Sequence, residues 1–229
     1  HQLAWDTLSA QDQEAVTRVF VSTGKAIAAF ERLLISRESA FDRFIAALRA
    51  RAARGIEVYD QRARRGARLF VGKARCVFCH DGPNFTDLEF HDNRVPVAEA
   101  GGDPGRKLGI KRLKLDPLNS RAPYADDGGE TGRRKIGQII SDSHGGKSFK
   151  TPTLRNVART PPYMHEGQFA TLAEVVDFYD ALANASPEIG SERLIQPLGL
   201  GADERADLVA FLESLTDENL PAELLGPPP

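Results

Sequence analysis

Two cysteines separated by two residues, with a histidine directly after the second, are the residues of this chain whose spacing indicates a definite chemistry. They are Cys76, Cys79 and His80, in the segment CVFCH. The C-x-x-C-H pattern is the attachment signal for a c-type haem. The two thiols add across the vinyl groups, and the adjacent histidine reaches the iron as the proximal ligand. The sequence therefore predicts one covalent haem bound by these three side chains.

Other uses of a C-x-x-C pair fit the sequence less well. A structural zinc site would require two further soft ligands, and the chain has only two cysteines. A redox pair would begin a helix after a strand in a βαβ setting, which the flanking sequence does not show. A structural disulfide between Cys76 and Cys79 is the remaining alternative. Covalent haem attachment and paired cysteines together predict an exported bacterial protein, located in the periplasm.

Residues 161–179 contain three further side chains that could bind the haem iron. Met164 is the only methionine of the chain. A thioether ligand is common in c-type cytochromes, although methionine also fills gaps in apolar cores. His165 is either a second histidine ligand or a buried histidine that is hydrogen-bonded near the haem. Tyr179 is the third candidate, and the residue types alone leave the choice open.

The position of Tyr179 follows from the helix that precedes it. Thr171 and Glu174 form a T-x-x-E capping box, which predicts a helix over residues 171–183. Apolar residues then recur at helical spacing and place Tyr179 on the buried face. From this spacing alone, a tyrosine that belongs to the core is the simplest interpretation.

Helical periodicity covers much of the remaining chain. The predicted helices span residues 9–34, 38–53, 57–72 and 202–215. The first has a capping pair, Ser9 and Asp12, followed by an apolar stripe. The last is typical of the C-terminal helix of a cytochrome c domain, which packs across the helix that precedes the haem motif.

The region from residue 81 to residue 150 is rich in glycine, proline and aspartate, which predicts extended loops with at most short strands. Loop regions of this length often wrap a cofactor. His91 and His144 lie here. We interpret both as exposed loop residues, with a place at the haem edge as the alternative for His91.

Composition excludes several classes of protein. The chain is 41% hydrophobic and 27% charged with a net charge of −2, which is typical of a globular protein and does not indicate nucleic-acid binding. No apolar stretch approaches the ~18 residues of a membrane span. We see no signal peptide, and a chain that begins at His1 close to a helix is expected to be a mature, processed or truncated piece.

Four segments together resemble the C-terminal half of the bacterial di-haem cytochrome c peroxidases, and most of all the branch that includes MauG. They are FKTPTLRNV (149–157), TPPYMHEG (160–167), ATLAEVVDFY (170–179) and GKAIAAFER (24–32), the last within a long helix like the one that joins the two haem domains of that family. The resemblance implies a mostly α fold. It would be a cytochrome c-like haem domain with a long N-terminal linking helix and extended loops that wrap the haem.

The resemblance also implies roles for individual residues. Tyr179 falls where the MauG branch has a tyrosine as the distal haem ligand, fourteen residues after His165. His165 would then lie next to the haem without binding the iron, and we group it with Tyr179 as a candidate catalytic residue. Thr160 and Pro162 would supply backbone oxygens to a calcium ion. Arg155 would bind a haem propionate.

One departure from the family is large. The family has two C-x-x-C-H motifs, and this chain has one. We therefore expect residues 1–55 to link to an N-terminal haem domain or chain that is not in the sequence. Residues 56–220 would form the C-terminal c-type cytochrome domain, and residues 221–229 a tail.

Three functions follow as hypotheses. The first is the C-terminal haem part of a MauG-like oxidoreductase, which uses hydrogen peroxide to oxidise residues of a protein substrate through a high-valent haem. The second is a di-haem peroxidase that reduces hydrogen peroxide with electrons from a small redox partner. The third is a mono-haem electron-transfer cytochrome without catalysis of its own.

Overall fold

The computed structural model describes residues 2–96, 103–140, 147–182, 194–219, 221, 224 and 226. The described chain is mostly helical, which confirms the predicted fold class. The α-helices are α1 (Gln2–Asp6), α2 (Ala10–Glu31), α3 (Ala40–Arg49), α4 (Ala53–Val58), α5 (Gln61–Val71), α6 (Arg106–Leu115), α7 (Glu130–Gln138), α8 (Leu172–Ala181) and α9 (Ala202–Glu213). Within these ranges, no helix is both long enough and apolar enough to cross a membrane.

The chain divides into two compact units. One consists of His1–Ile35, Gly109–Ser141 and Ala222–Pro229, and the other of Ser36–Leu108 and Asp142–Pro221. All three residues of the predicted haem attachment motif lie in the second unit. We call it the cytochrome unit.

The core of the cytochrome unit forms where α5 crosses α9. A β-carbon added to Gly66 would lie only 1.9 Å from the carbonyl oxygen of Asp207, so the two helix backbones are in contact. The rings of Phe70 and Phe211 pack beside this contact with their centroids 5.0 Å apart, and Leu215 is completely buried next to them. This crossing is the arrangement that the sequence predicted for the C-terminal helix.

A charged pair also joins α5 to α9. Arg65 donates from Nε and Nη2 to the two carboxylate oxygens of Asp207, at 2.5 and 2.8 Å. The hydrogen bond from Arg65 lowers the pKa of Asp207, although burial opposes it. Because Asp207 has only 4% of its surface exposed, its charge depends on this partner.

Because of the ion pair between Arg65 and Asp207, we expect the protein to lose stability in acid. A carboxyl group whose pKa is depressed in the folded state contributes stability above its unfolded pKa of about 4, and loses it as the pH falls through the folded value. We expect Arg65→Met to raise the pKa of Asp207, and so to move the midpoint of acid unfolding to higher pH. Circular dichroism during acid titration measures this midpoint. Arg18→Met, which breaks an exposed pair with Glu14, is the control and should not move it. Equal midpoints for both variants would contradict the prediction.

The helix predicted over residues 38–53 forms as α3 but is shorter at its C-terminal end, and α4 begins where the prediction ended. Helix α3 ends at Arg49, and Arg51 has a φ of 52°, a left-handed conformation that interrupts the helix before α4. The start of α3 is well defined, because the side chains of Ser39 and Asp42 form a capping box.

Helix α3 packs inside the cytochrome unit. The ring of Phe44 stacks on Tyr59 at 4.3 Å, and Phe41 meets Phe211 edge-on at 5.3 Å. These contacts explain why the compact unit begins at Ser36, twenty residues before residue 56, where we expected the cytochrome domain to begin.

The region 81–150 is less irregular than its composition suggested. It contains α6 and α7, each anchored by one buried isoleucine, Ile110 and Ile136. Dense turn residues on both sides of each helix masked this short periodicity. The predicted short strands do form: β1 (Phe90–His91) pairs antiparallel with β2 (Phe149–Lys150). His144 lies outside the described residues.

Helix α2 begins as predicted, with the Ser9 side chain accepting a hydrogen bond from the Asp12 amide, but it ends at Glu31 instead of residue 34. Its apolar stripe is exposed, and no described side chain of α2 is buried. The stripe includes Val19 and Phe20, each about two-thirds exposed. Helical spacing defines a face, but only other elements can cover it.

Candidate haem site

The attachment segment follows α5 through a tight turn. Arg75 has a φ of 56°, and this left-handed residue directs the chain into a one-turn 3-10 helix, Cys76–Phe78. The amide of His80 then donates to the carbonyl of Cys76 at 2.9 Å. The turn thus brings both thiols and the imidazole to one cavity, which all three side chains line.

The imidazole of His80 is oriented as a metal ligand requires. Its Nδ1 lies 2.9 Å from the carbonyl oxygen of Phe85. Because a carbonyl only accepts, Nδ1 carries the hydrogen, and Nε2 keeps its lone pair. Burial lowers the pKa of His80, which favours the neutral form that binds metals.

The cavity has a volume of about 460 Å³ and a mostly apolar wall. Helices α5, α8 and α9 contribute Phe70, Val176 and Leu212, and the segment after β2 adds Leu154 and Val157. An apolar cavity next to two cysteines suits a flat, largely hydrophobic cofactor and limits the access of water to it.

The side chain of Tyr179, in the last turn of α8, lines the same cavity. The capping box of Thr171 and Glu174 starts this helix as predicted. The phenol oxygen accepts a hydrogen bond from Nδ2 of Asn93 at 3.2 Å. Burial raises the pKa of Tyr179 to about 12, so the phenol keeps its proton at neutral pH in the protein alone.

Met164 and His165 line the cavity as well. Met164 has a φ of 70°. The ring of His165 stacks on Phe149 at 3.7 Å. Its Nε2 is buried, and it has no hydrogen-bond partner among the described residues. All three sequence candidates for the distal ligand are therefore brought to one cavity.

The guanidinium of Arg155 has a different environment from the one the sequence suggested. It binds both carboxylate oxygens of Asp42 at 2.8 and 3.0 Å and donates from Nε to the carbonyl of Pro83. Burial alone would raise the pKa of Asp42, but hydrogen bonds from Arg155 and Ser39 outweigh it and lower this pKa. Arg155 does not line the cavity, and its geometry favours a role in joining α3 to residues 153–159.

Two other cationic side chains, Arg75 and Lys150, do line the cavity. The Nε of Arg75 is buried and has no hydrogen-bond partner within the described part of the chain. A buried donor without an acceptor is costly, and a carboxylate group of a bound molecule would satisfy it.

Thr160 and Pro162 also contribute to the wall, and the Pro161–Pro162 peptide bond is cis. His91, which we interpreted as a loop residue, is half-buried and lines the cavity with its Nε2 at 2.7 Å from Asp87. The alternative for His91, a place at the haem edge, is thus the one that the geometry favours.

Together these features fit a covalent haem. The structure brings two thiols and a correctly oriented imidazole to an apolar cavity, with a second possible ligand in the same wall. Nε of Arg75 and Nε2 of His165 have no hydrogen-bond partner among the described residues, and they could form hydrogen bonds with polar groups of the cofactor.

Comparison with known proteins identifies the relatives of this chain. No family model matches it. In sequence it is 37% identical over 198 residues to the cytochrome-c peroxidase IdrP1 of Denitromonas iodatirespirans, with 83% of this chain and 48% of the relative covered. It is 35% identical over 197 residues to the methylamine utilization protein MauG of Methylorubrum extorquens, with 84% and 43% covered. The chain is therefore a homologue of cytochrome-c peroxidases and of MauG.

A solved structure agrees with this relationship. A MauG-like protein associated with microbial copper homeostasis matches with a TM-score of 0.55 and 27% identity, covering 83% of this chain and 52% of that one. The chain spans about half the length of the curated peroxidase and MauG relatives that it matches.

Sequence reasoning missed two residues of this cavity, Asn93 and Arg75. Asn93 lies beyond the end of β1, in successive turns at Asp92 and Asn93, so strand alternation does not predict the direction of its side chain. No signal in the sequence indicates that Arg75 reaches the cavity, because its direction depends on a left-handed backbone turn.

Proposed function

We propose that this chain is the part of a di-haem oxidoreductase that holds one covalent c-type haem, and that the complete periplasmic protein uses hydrogen peroxide to oxidise a protein substrate. The presence of Tyr179 in the cavity of Cys76, Cys79 and His80 carries this proposal. Tyrosine is a hard anionic donor that stabilises oxidised iron, whereas a simple electron carrier is better served by methionine.

Each part of the site has a definite task in this proposal. Cys76 and Cys79 would hold the haem covalently, and His80 would bind its iron in the orientation set by the Phe85 carbonyl. The haem would supply one-electron redox chemistry. Tyr179 would donate an oxygen to the iron, His165 would contact the cofactor, and the apolar wall would limit the access of water.

A second candidate is a peroxidase that reduces hydrogen peroxide to water with two electrons from a small redox protein. The names of the cytochrome-c peroxidase relatives and the presence of Met164 in the cavity favour it. The mono-haem cytochrome remains the third candidate, because the chain contains a single C-x-x-C-H motif.

The number of haems in the complete protein is the first test. Pyridine haemochrome spectra and intact mass should show two covalent haems for each complex that contains this chain. A single haem with no partner domain would refute both di-haem functions and leave the electron-transfer cytochrome.

The two di-haem functions differ in which molecule is oxidised when hydrogen peroxide is consumed. We expect slow consumption of reduced cytochrome c or cupredoxin, and new oxidised tryptophan or tyrosine residues in a protein substrate by mass spectrometry. Rapid oxidation of two reduced cytochromes for each peroxide would instead support the peroxidase.

Arg75 is our proposed partner for a haem propionate in place of Arg155. We expect Arg75→Leu to change the midpoint potential of the haem, because it removes a cation from the cavity wall. Arg155→Leu should leave the potential unchanged and lower the free energy of unfolding by about 1–3 kcal/mol, since it deprives Asp42 of its partner. Potentiometric titration and thermal unfolding of both variants measure these effects. A midpoint potential that changes in Arg155→Leu and not in Arg75→Leu would instead assign the haem propionate to Arg155.

Calcium is the second proposed cofactor, bound in part by the backbone oxygens of Thr160 and Pro162. Calcium takes six to eight oxygen ligands, so other ligands must come from elsewhere in the complete protein. We expect a calcium chelator to change the redox titration of the complete protein. Readdition of calcium should restore it, and magnesium should not. Identical titrations with and without chelator would refute the calcium site.

A further inference from the structure

Asn93 contacts Tyr179 inside the haem cavity. The amide nitrogen Nδ2 of Asn93 lies 3.2 Å from the phenol oxygen, and both side chains line the cavity wall. Tyr179 is one of the three candidates for the distal position, so a hydrogen bond to its oxygen acts directly on the group that would face the iron.

The local backbone determines which end of the Asn93 amide faces Tyr179. The Oδ1 of Asn93 accepts from the amide of Val95, and the neighbouring Asp92 accepts from the amide of Arg94 in the same way. These are successive turns in which a side chain binds the backbone two residues ahead. With its oxygen occupied by an N–H group, Asn93 can present only its NH₂ group to the phenol oxygen.

The segment that holds Asn93 is tied to the haem attachment motif. Strand β1 precedes it and pairs with β2 through Phe90 and Lys150. Earlier in the same segment, the amide of Asp87 donates to the carbonyl of Cys79 at 2.9 Å. Asn93 therefore links Tyr179 on α8 to the segment that would hold the cofactor.

We propose that Asn93 is a positioning residue for Tyr179, whose oxygen it orients and whose electron donation to a bound haem iron it limits. This inference rests on the proposed function, because it takes Tyr179 as the distal ligand. An N–H donor withdraws electron density from the oxygen that it binds, and this effect is larger for an anionic oxygen. Ferric iron is then stabilised less than it would be by the same tyrosine without a hydrogen bond.

Two variants of nearly equal size test this role in the complete haem-loaded protein. Asn93→Leu removes the donor, and we expect the ratio of ferrous to ferric haem at a fixed potential to fall by about threefold to tenfold, the effect of one hydrogen bond. Asn93→Asp places a carboxylate oxygen against the phenol oxygen, and should shift the ratio further or abolish the spectrum of the tyrosine-bound haem. Asn84→Leu is the control, because Asn84 is exposed and does not line the cavity.

The outcomes separate this inference from the proposed ligand. If Tyr179→Phe changes the absorption and EPR spectra while both Asn93 variants match the unmodified protein, the role of Asn93 is refuted and the ligand stands. If Tyr179→Phe changes nothing, the ligand fails and the inference fails with it. Should Asn93→Leu not fold, Asn93→Asp decides, since it keeps the bond to the Val95 amide.

Discussion

Replacement of Tyr179 by phenylalanine is expected to leave the haem covalently attached and to change its absorption and EPR spectra. Attachment depends on Cys76 and Cys79, which the substitution does not touch. Under our proposal Tyr179 would donate an oxygen to the iron, so its replacement should change the ligands of the iron and raise the midpoint potential. The cost to folding should be about 1 kcal/mol, because Asn93 loses a hydrogen-bond acceptor and the ring remains.

Two variants make this result specific. Tyr163→Phe removes a hydroxyl from another tyrosine of the cavity wall and should leave the spectra unchanged. Met164→Leu tests the competing ligand and should also have no effect. Spectra that respond to Met164→Leu and not to Tyr179→Phe would assign the distal position to methionine and favour the peroxidase or an electron carrier.

Gly66→Ala should have the largest effect on folding. The added β-carbon would lie 1.9 Å from the Asp207 carbonyl oxygen and 2.7 Å from the Phe211 β-carbon. Neither group can move without separating α5 from α9. We expect a loss of about 3 kcal/mol or more, at the upper end of overpacking costs, and poor haem incorporation because both helices line the cavity. Thermal unfolding and the haem-to-protein ratio measure the two effects.

Gly24→Ala is the matched control. Gly24 lies within α2, and a β-carbon there meets nothing within 4 Å. Alanine has the higher helix propensity, so this variant should be as stable as the unmodified protein or more stable by up to ~1 kcal/mol. Similar unfolding temperatures for the two variants would show that the helix crossing adapts to the extra carbon.

The sequence alone was sufficient to predict features that depend on residues close together in the chain. The C-x-x-C-H motif predicts the haem, and one turn is enough to bring Cys76, Cys79 and His80 to the same cavity. The capping box at Thr171 and Glu174 places the start of α8 correctly. The spacing of the apolar residues in this helix also places Tyr179 on the buried face, because helical periodicity is a local property.

Tertiary structure alone decided the features that depend on distant partners. Arg155 was assigned to the haem from resemblance, yet its guanidinium binds Asp42, which is 113 residues away in the chain. Periodicity in α2 predicted an apolar face and could not predict that this face stays exposed. The contact between Asn93 and Tyr179 joins residues 86 positions apart. Charge, polarity and periodicity show what a side chain can do, but its partner is set by the path of the whole chain.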